Sequence, residues 1–252
     1  MTDQNNAPEE ESFISHLVEL RDRILKASLA VIVIFLCLMP FSSQIYDFLA
    51  APMMAALPNG SKMIATGVIT PFLIPVKVTL MAAFLIALPW VLYQAWAFVA
   101  PGLYAHEKRL IAPLVISSSV LFVIGVAFCY ELVFNVVFKV IYEWAPKSVS
   151  VAPDIESYFD FAITMFIAFG LTFEVPIVVI VLVRMGLVSV EKLKQFRPYV
   201  IVGAFVIAAI VTPPDAMSMM LLALPLWLLF EVGLLVAPLF VKLTQAPEEA
   251  HH

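Results

Sequence analysis

Four carboxylates in this chain stand where a carboxylate needs a reason. Glu174 falls deep inside an apolar run, two residues before Pro176. Asp215 closes the sequence Thr212-Pro-Pro-Asp. Glu107 lies in 98–109, the most polar stretch of the first half, flanked by His106, Lys108 and Arg109. Glu19 precedes the first apolar run, with Arg23 four residues on. Carboxylates serve acid–base catalysis, metal binding or recognition of a cation. Catalysis needs partners that are absent here. There is no HExxH, GxSxG, Walker A loop or glycine-rich dinucleotide turn. Ser189-Val-Glu-Lys192 matches SxxK, but Ser189 reads as the N-cap of a short helix. His16 and His106 are isolated, and Cys37 and Cys129 sit inside apolar runs as small core residues. No cofactor and no metal is expected, and the chain does not read as an enzyme.

Each acid also has a plain role. An ionised Glu174 at membrane depth would cost at least ~2.5–3.5 kcal/mol, so it is neutral or faces a polar cavity. It either bonds the carbonyl that Pro176 leaves free or meets a polar group on a partner helix. Glu19 can pair with Arg23 across one helical turn. Glu107 can be a solvated loop charge, and Asp215 can cap the helix that follows it.

The elements that must position these groups follow from composition. The chain is 63% hydrophobic and 13% charged, with mean hydropathy +1.01. A soluble domain would leave too much apolar surface in water. The apolar runs are long and do not alternate, which excludes a transmembrane barrel and predicts an all-α polytopic membrane protein. The net charge of −5 reflects acids in the tails, Asp3, Glu9–Glu11, Glu248 and Glu249 among them.

Residues 1–12 read as a flexible polar tail, 13–241 as a single six-span membrane domain, and 242–252 as a polar tail ending in a tag remnant. Within the domain, 13–23 forms a short amphipathic helix along the membrane surface. Spans follow at 25–41, 76–96, 113–136, 158–183, 199–211 and from 216 to about Glu231. External segments lie at 42–75, which contains Pro52, and at 137–157. Span five is roughly 20 Å long against a hydrocarbon core of roughly 30 Å, and span six also reads as short. Pro89, Pro176 and Pro225 kink their helices. Kinked helices with a short pair at one end predict a curved, open wall. Ten Lys and Arg lie on the side of the N-terminus and four on the other, so both termini are assigned to the cytoplasm.

Five motifs then fall in order: His16-Leu-Val-Glu-Leu-Arg21, Phe98-x-x-Pro-Gly-Leu-x-x-x-Glu107-Lys-Arg, Phe173-Glu-x-Pro176, Arg197-Pro-Tyr199 and Thr212-Pro-Pro-Asp215. Over about 13–240 the chain resembles the TatC family, core subunit of the twin-arginine protein translocase, and is similar to its enterobacterial-type members. The resemblance implies a receptor in the bacterial inner membrane. It would bind twin-arginine signal peptides of folded precursors and export them with single-span TatB- and TatA-type partners, driven by the proton-motive force. It also implies self-association in a multi-subunit complex. Carried over by motif, Glu19 and Glu107 contact the arginine pair, and Arg21, Phe98, Pro101, Gly102 and Leu103 shape the site. Pro52, Glu174, Thr212 and Asp215 match positions serving translocation or partner contact. Met219 stands where the family often has a polar Gln. The alternative is a six-span secondary transporter of a small solute. It would need several polar groups at the midplane and usually an internal repeat, and the chain offers Glu174 and no repeat.

Overall fold

A computed structural model describes residues 7–57, 62–99, 111–144, 152–212 and 216–245, and the described residues are almost entirely helical. Helix α1 spans Ala7–Leu38 and passes through a 3-10 turn at Met39–Phe41 into α2, Ser42–Ala56. Helix α3 covers Thr70–Val99. Helix α4, Ile111–Phe128, runs through a π-turn at Cys129–Val133 into α5, Phe134–Trp144. Then come α6, Ile155–Arg184, the short α7, Val190–Gln195, α8, Arg197–Val211, and α9, Ala216–Gln245. Among the described residues, five helical stretches are long and apolar enough to cross a membrane, and α8 is a shorter apolar helix.

The principal packing runs in series from α1 to α3, α4, α6, α9 and α8, with α3 also touching α6. This order has two ends. At one of them α1 leaves Leu25, Leu29 and Leu36 exposed, a surface suited to acyl chains and unsuited to water. The core lies around α6, where Phe159, Met165 and Phe169 are wholly buried with Phe134 of α5. Helices α4 and α6 approach closely because each gives a glycine to the other. A Cβ on Gly125 would lie 2.6 Å from the Phe169 carbonyl oxygen, and one on Gly170 would lie 2.3 Å from the Phe122 ring. Gly186, at φ +69°, turns the chain from α6 toward α7 in the left-handed region that glycine tolerates.

Several boundaries differ from expectation. No Gly or Pro stands between Pro8 and Pro40, so nothing breaks a helix there. The segment expected as a separate surface helix at 13–23 is one continuous rod with span one, and the rod starts at Ala7, inside the expected tail. Span two starts at Thr70: Pro71 falls in its first turn, where a missing N–H is cheapest, while Pro75 lies inside the helix. Span three does not stop at Val136. Part of the expected external segment, 137–144, continues as α5 and packs on α2. Span six is not short: α9 has 30 residues and runs past Glu231, whose charge is met by Arg197, Nη2 to Oε2 at 2.6 Å. Span five is short as expected, at 15 residues. Ser189 caps α7, accepting from Lys192 N at 3.2 Å.

The start of α6 is tied to the segment before α3. Asp154 accepts from Ser157 N at 3.0 Å and from Thr66 N and Oγ1 at 3.2 and 2.9 Å. Those bonds, the Ser157 amide first, hold its carboxyl below the usual carboxylate range. Lys77 of α3 pairs with Asp160 of α6 just inside this knot.

Candidate functional site

Glu19 projects from α1 on the side of the helix that also carries His16 and Arg23. Arg23, one turn on, sends Nε and Nη2 to its Oε1 at 2.9 and 2.6 Å. His16 lies one turn back, with Nδ1 4.0 Å from Oε2. The His16 ring stacks on Phe98 at 4.3 Å between centroids and 16° between planes. Phe98 is in the last turn of α3, at the start of the polar loop. The α1–α3 contact thus brings Glu19 and Phe98, far apart in sequence, to one place. Trp90 Nε1 also donates to the Lys26 carbonyl across that contact at 3.3 Å.

Arg21 does not join this cluster. Two residues from Glu19 is more than half a turn around the helix, and Arg21 instead bonds Asp22 with Nε and Nη2 at 3.0 and 2.8 Å, largely in the open. Pro101, Gly102, Leu103 and Glu107 lie outside the described residues. Of the residues expected at this end, the structure thus brings together Glu19 and Phe98, with Glu19 Oε2 on the side of the His16–Phe98 stack.

A second polar centre lies between helices. Glu174 on α6 is 7% exposed. Its Oε2 accepts from Ser118 Oγ on α4 at 2.5 Å, and Ser118 Oγ in turn accepts from Trp96 Nε1 on α3 at 3.0 Å. Of the two alternatives for Glu174, the bond to the carbonyl freed by Pro176 is not formed; a hydroxyl on the neighbouring helix of this same chain meets the carboxyl instead. Oε1 of Glu174 has no hydrogen-bond partner among the described residues. Trp96 and Ser118 escaped sequence reasoning. The signal for them was Ser117-Ser118-Ser119 interrupting an apolar run.

Pro52 is buried in α2. Its missing N–H leaves the Phe48 carbonyl without its helical donor, and Tyr130 Oη, in the π-turn, donates to that oxygen at 2.7 Å. Tyr158 Oη donates to the next carbonyl, Leu49, also at 2.7 Å. Thr212 is buried at the end of α8, its hydroxyl turned back to the Ala208 carbonyl at 2.8 Å. Asp215 lies outside the described residues. Among the described residues no cluster of His, Cys, Asp and Glu could hold a metal ion.

Comparison with known proteins adds independent findings. Residues 15–225 match the family described as Sec-independent protein translocase protein (TatC). The Sec-independent protein translocase protein TatC of Haemophilus influenzae is 51% identical over 233 residues, covering 92% of this chain and 91% of its own length. Its namesake in Escherichia coli K12 is 49% identical over 236 residues, covering 94% and 92%. A solved structure described as the twin arginine translocase receptor TatC superposes with a TM-score of 0.77 at 36% identity, covering 89% of this chain and 98% of that one.

Proposed function

This chain belongs to the TatC family of Sec-independent protein translocase proteins, and from that premise we propose that it is the receptor subunit that binds twin-arginine signal peptides. It is a multi-pass membrane component of that translocase, with helices enough to cross the bilayer repeatedly. Glu19 and Glu107 take the two guanidinium groups, one from α1 and one from the loop that begins at Phe98. Arg21, Phe98, Pro101, Gly102 and Leu103 shape that site. Glu174, with Thr212, Asp215 and Pro52, serves contact with single-span TatB- and TatA-type partners and passage of the folded precursor, driven by the proton-motive force. Both termini lie in the cytoplasm. The role is binding and gating, with no covalent step.

The observation that carries the reading is the Glu19 carboxylate, held on α1 with one oxygen turned to the His16–Phe98 stack at the mouth of the loop that contains Glu107. Arginine rather than lysine fits because its guanidinium offers several N–H donors in a fixed plane and that plane stacks on aromatic rings. The rival reading, a transporter of a small solute, has no support in the relatives named above.

The test is site-specific crosslinking from 98–109 to a twin-arginine precursor, with a twin-lysine control. Glu107→Ala, and more strongly Glu107→Lys, is expected to abolish the crosslink while leaving membrane insertion intact. Crosslinking at the wild-type level in either variant would remove the assignment.

A further inference from the structure

The pair Glu19–Arg23 is more than a contact across one turn. After Nε and Nη2 have both been placed on Glu19 Oε1, the third nitrogen of Arg23, Nη1, reaches α3 and donates to the Gln94 amide oxygen at 3.4 Å. Gln94 is 5% exposed, an uncharged polar side chain in an apolar helix. The Arg23 side chain is 21% exposed and that of Glu19 45%. The three groups thus form a line that starts in the protein interior, crosses from α3 to α1 and ends at a carboxylate in the open.

A guanidinium is rigid and planar. Anchoring Nη1 on α3 sets the plane in which the other two nitrogens meet Glu19. Both land on Oε1, which leaves Oε2 turned toward His16, 4.0 Å away. His16 is in turn held by its stack on Phe98. An unanchored glutamate on an exposed helix face would sample several rotamers, and binding would have to select one of them. Fixing it beforehand removes that entropy from the binding step. We infer that Gln94 and Arg23 are positioning residues that hold Glu19 with Oε2 presented to the incoming arginine. The inference rests on the assignment of Glu19 to the signal site. It also excludes a different role for the same pair, in which Arg23 occupies Glu19 as a stand-in and the signal peptide displaces it.

Three variants of the full chain, Gln94→Leu, Arg23→Lys and Gln94→Glu, are compared with wild type in lipid nanodiscs. The probes are a labelled twin-arginine signal peptide and its twin-lysine counterpart, and monodisperse elution serves as the folding check. Gln94→Leu removes the anchor. Arg23→Lys keeps the charge beside Glu19 but lacks a fork that can hold both partners. Both are expected to weaken twin-arginine binding by roughly 3- to 10-fold, the equivalent of one lost hydrogen bond. Both should also narrow the arginine-to-lysine preference, which a general loosening of the fold would leave unchanged. Gln94→Glu restores an acceptor and should recover binding. Wild-type affinity in Gln94→Leu and Arg23→Lys would overturn the inference, and so would tighter binding in Arg23→Lys, which would make Arg23 a competitor. Glu19→Gln separates the two levels. If it binds as wild type, the assignment of Glu19 itself fails. If it loses binding while the positioning variants keep theirs, only the inference fails.

Discussion

A carboxyl group enclosed by apolar helices keeps the hydrogen bonds its neighbours can reach, and Glu174 has one such bond among the described residues. Ser118 donates to its Oε2 at 2.5 Å while receiving the Trp96 N–H at 3.0 Å. Three helices therefore meet in a single chain of donors, α3 to α4 to α6. Removing the middle link leaves two polar groups without partners, the half-buried Trp96 N–H and the buried Glu174 Oε2. A buried group left unsatisfied costs about 1–3 kcal/mol. Ser118→Ala is thus expected to lower thermal stability in detergent by a comparable amount. In a Glu174→Leu background, where the final acceptor is already gone, the same change should cost less. Additive losses in the double variant would show that the two residues do not act as one unit. The other oxygen, Oε1, is also buried and has no hydrogen-bond partner among the described residues; on the proposal that Glu174 serves partner contact, Glu174→Ala should weaken partner co-purification while sparing signal-peptide binding.

Among the elements, α2 illustrates how a proline is accommodated by its surroundings. Pro52 withdraws the donor for the Phe48 carbonyl, and Tyr130 supplies a replacement from the π-turn between α4 and α5. The π-turn inserts a wider loop of backbone there, and Asn135 folds its side-chain amide back onto the Glu131 carbonyl within it. Tyr130→Phe should cost about 1 kcal/mol, as one hydrogen bond does. Pro52→Ala returns an N–H to the helix, so in that background Tyr130→Phe should cost measurably less. Equal costs in both backgrounds, read from chemical or thermal unfolding, would sink this account of Pro52. The same element shows what sequence could and could not supply. Runs of apolar residues locate every span, because length and hydropathy are local properties. Their ends depend on partners: Glu231 stops being a terminus once Arg197 reaches it, and 137–144 stays helical because α2 covers it. The site divides likewise. The Glu19–Arg23 pair is visible at a spacing of four, whereas Gln94, Ser118 and Trp96 are uncharged and become polar partners only when α1, α4 and α6 pack beside them.

For the whole molecule, the consequence of one short helix in a row of long ones is a mismatch with the bilayer. Helix α8 has 15 residues and rises roughly 22 Å, against roughly 30 Å of hydrocarbon. Its neighbours α6 and α9 have 30 residues each and can tilt to fit. Helix α8 has less freedom, since Arg197 ties one end to Glu231 and the buried Ala204 and Ala208 anchor its inner face. The lipid must adjust to it, at fractions of a kcal/mol per Å of mismatch, so a shortfall of this size amounts to a few kcal/mol at most. The strain should appear locally. In nanodiscs of dimyristoyl lipid, amides near the end of α8, at 205–212, are expected to exchange with solvent more slowly than in dierucoyl lipid, while amides in the middle of α6 exchange alike in both. Inserting one helical turn of Leu and Ala after Val206 should remove the difference. Equal exchange of 205–212 in thin and thick bilayers would mean that α8 is shielded by protein instead of lipid, and the open end of the helix row would have to be reassigned.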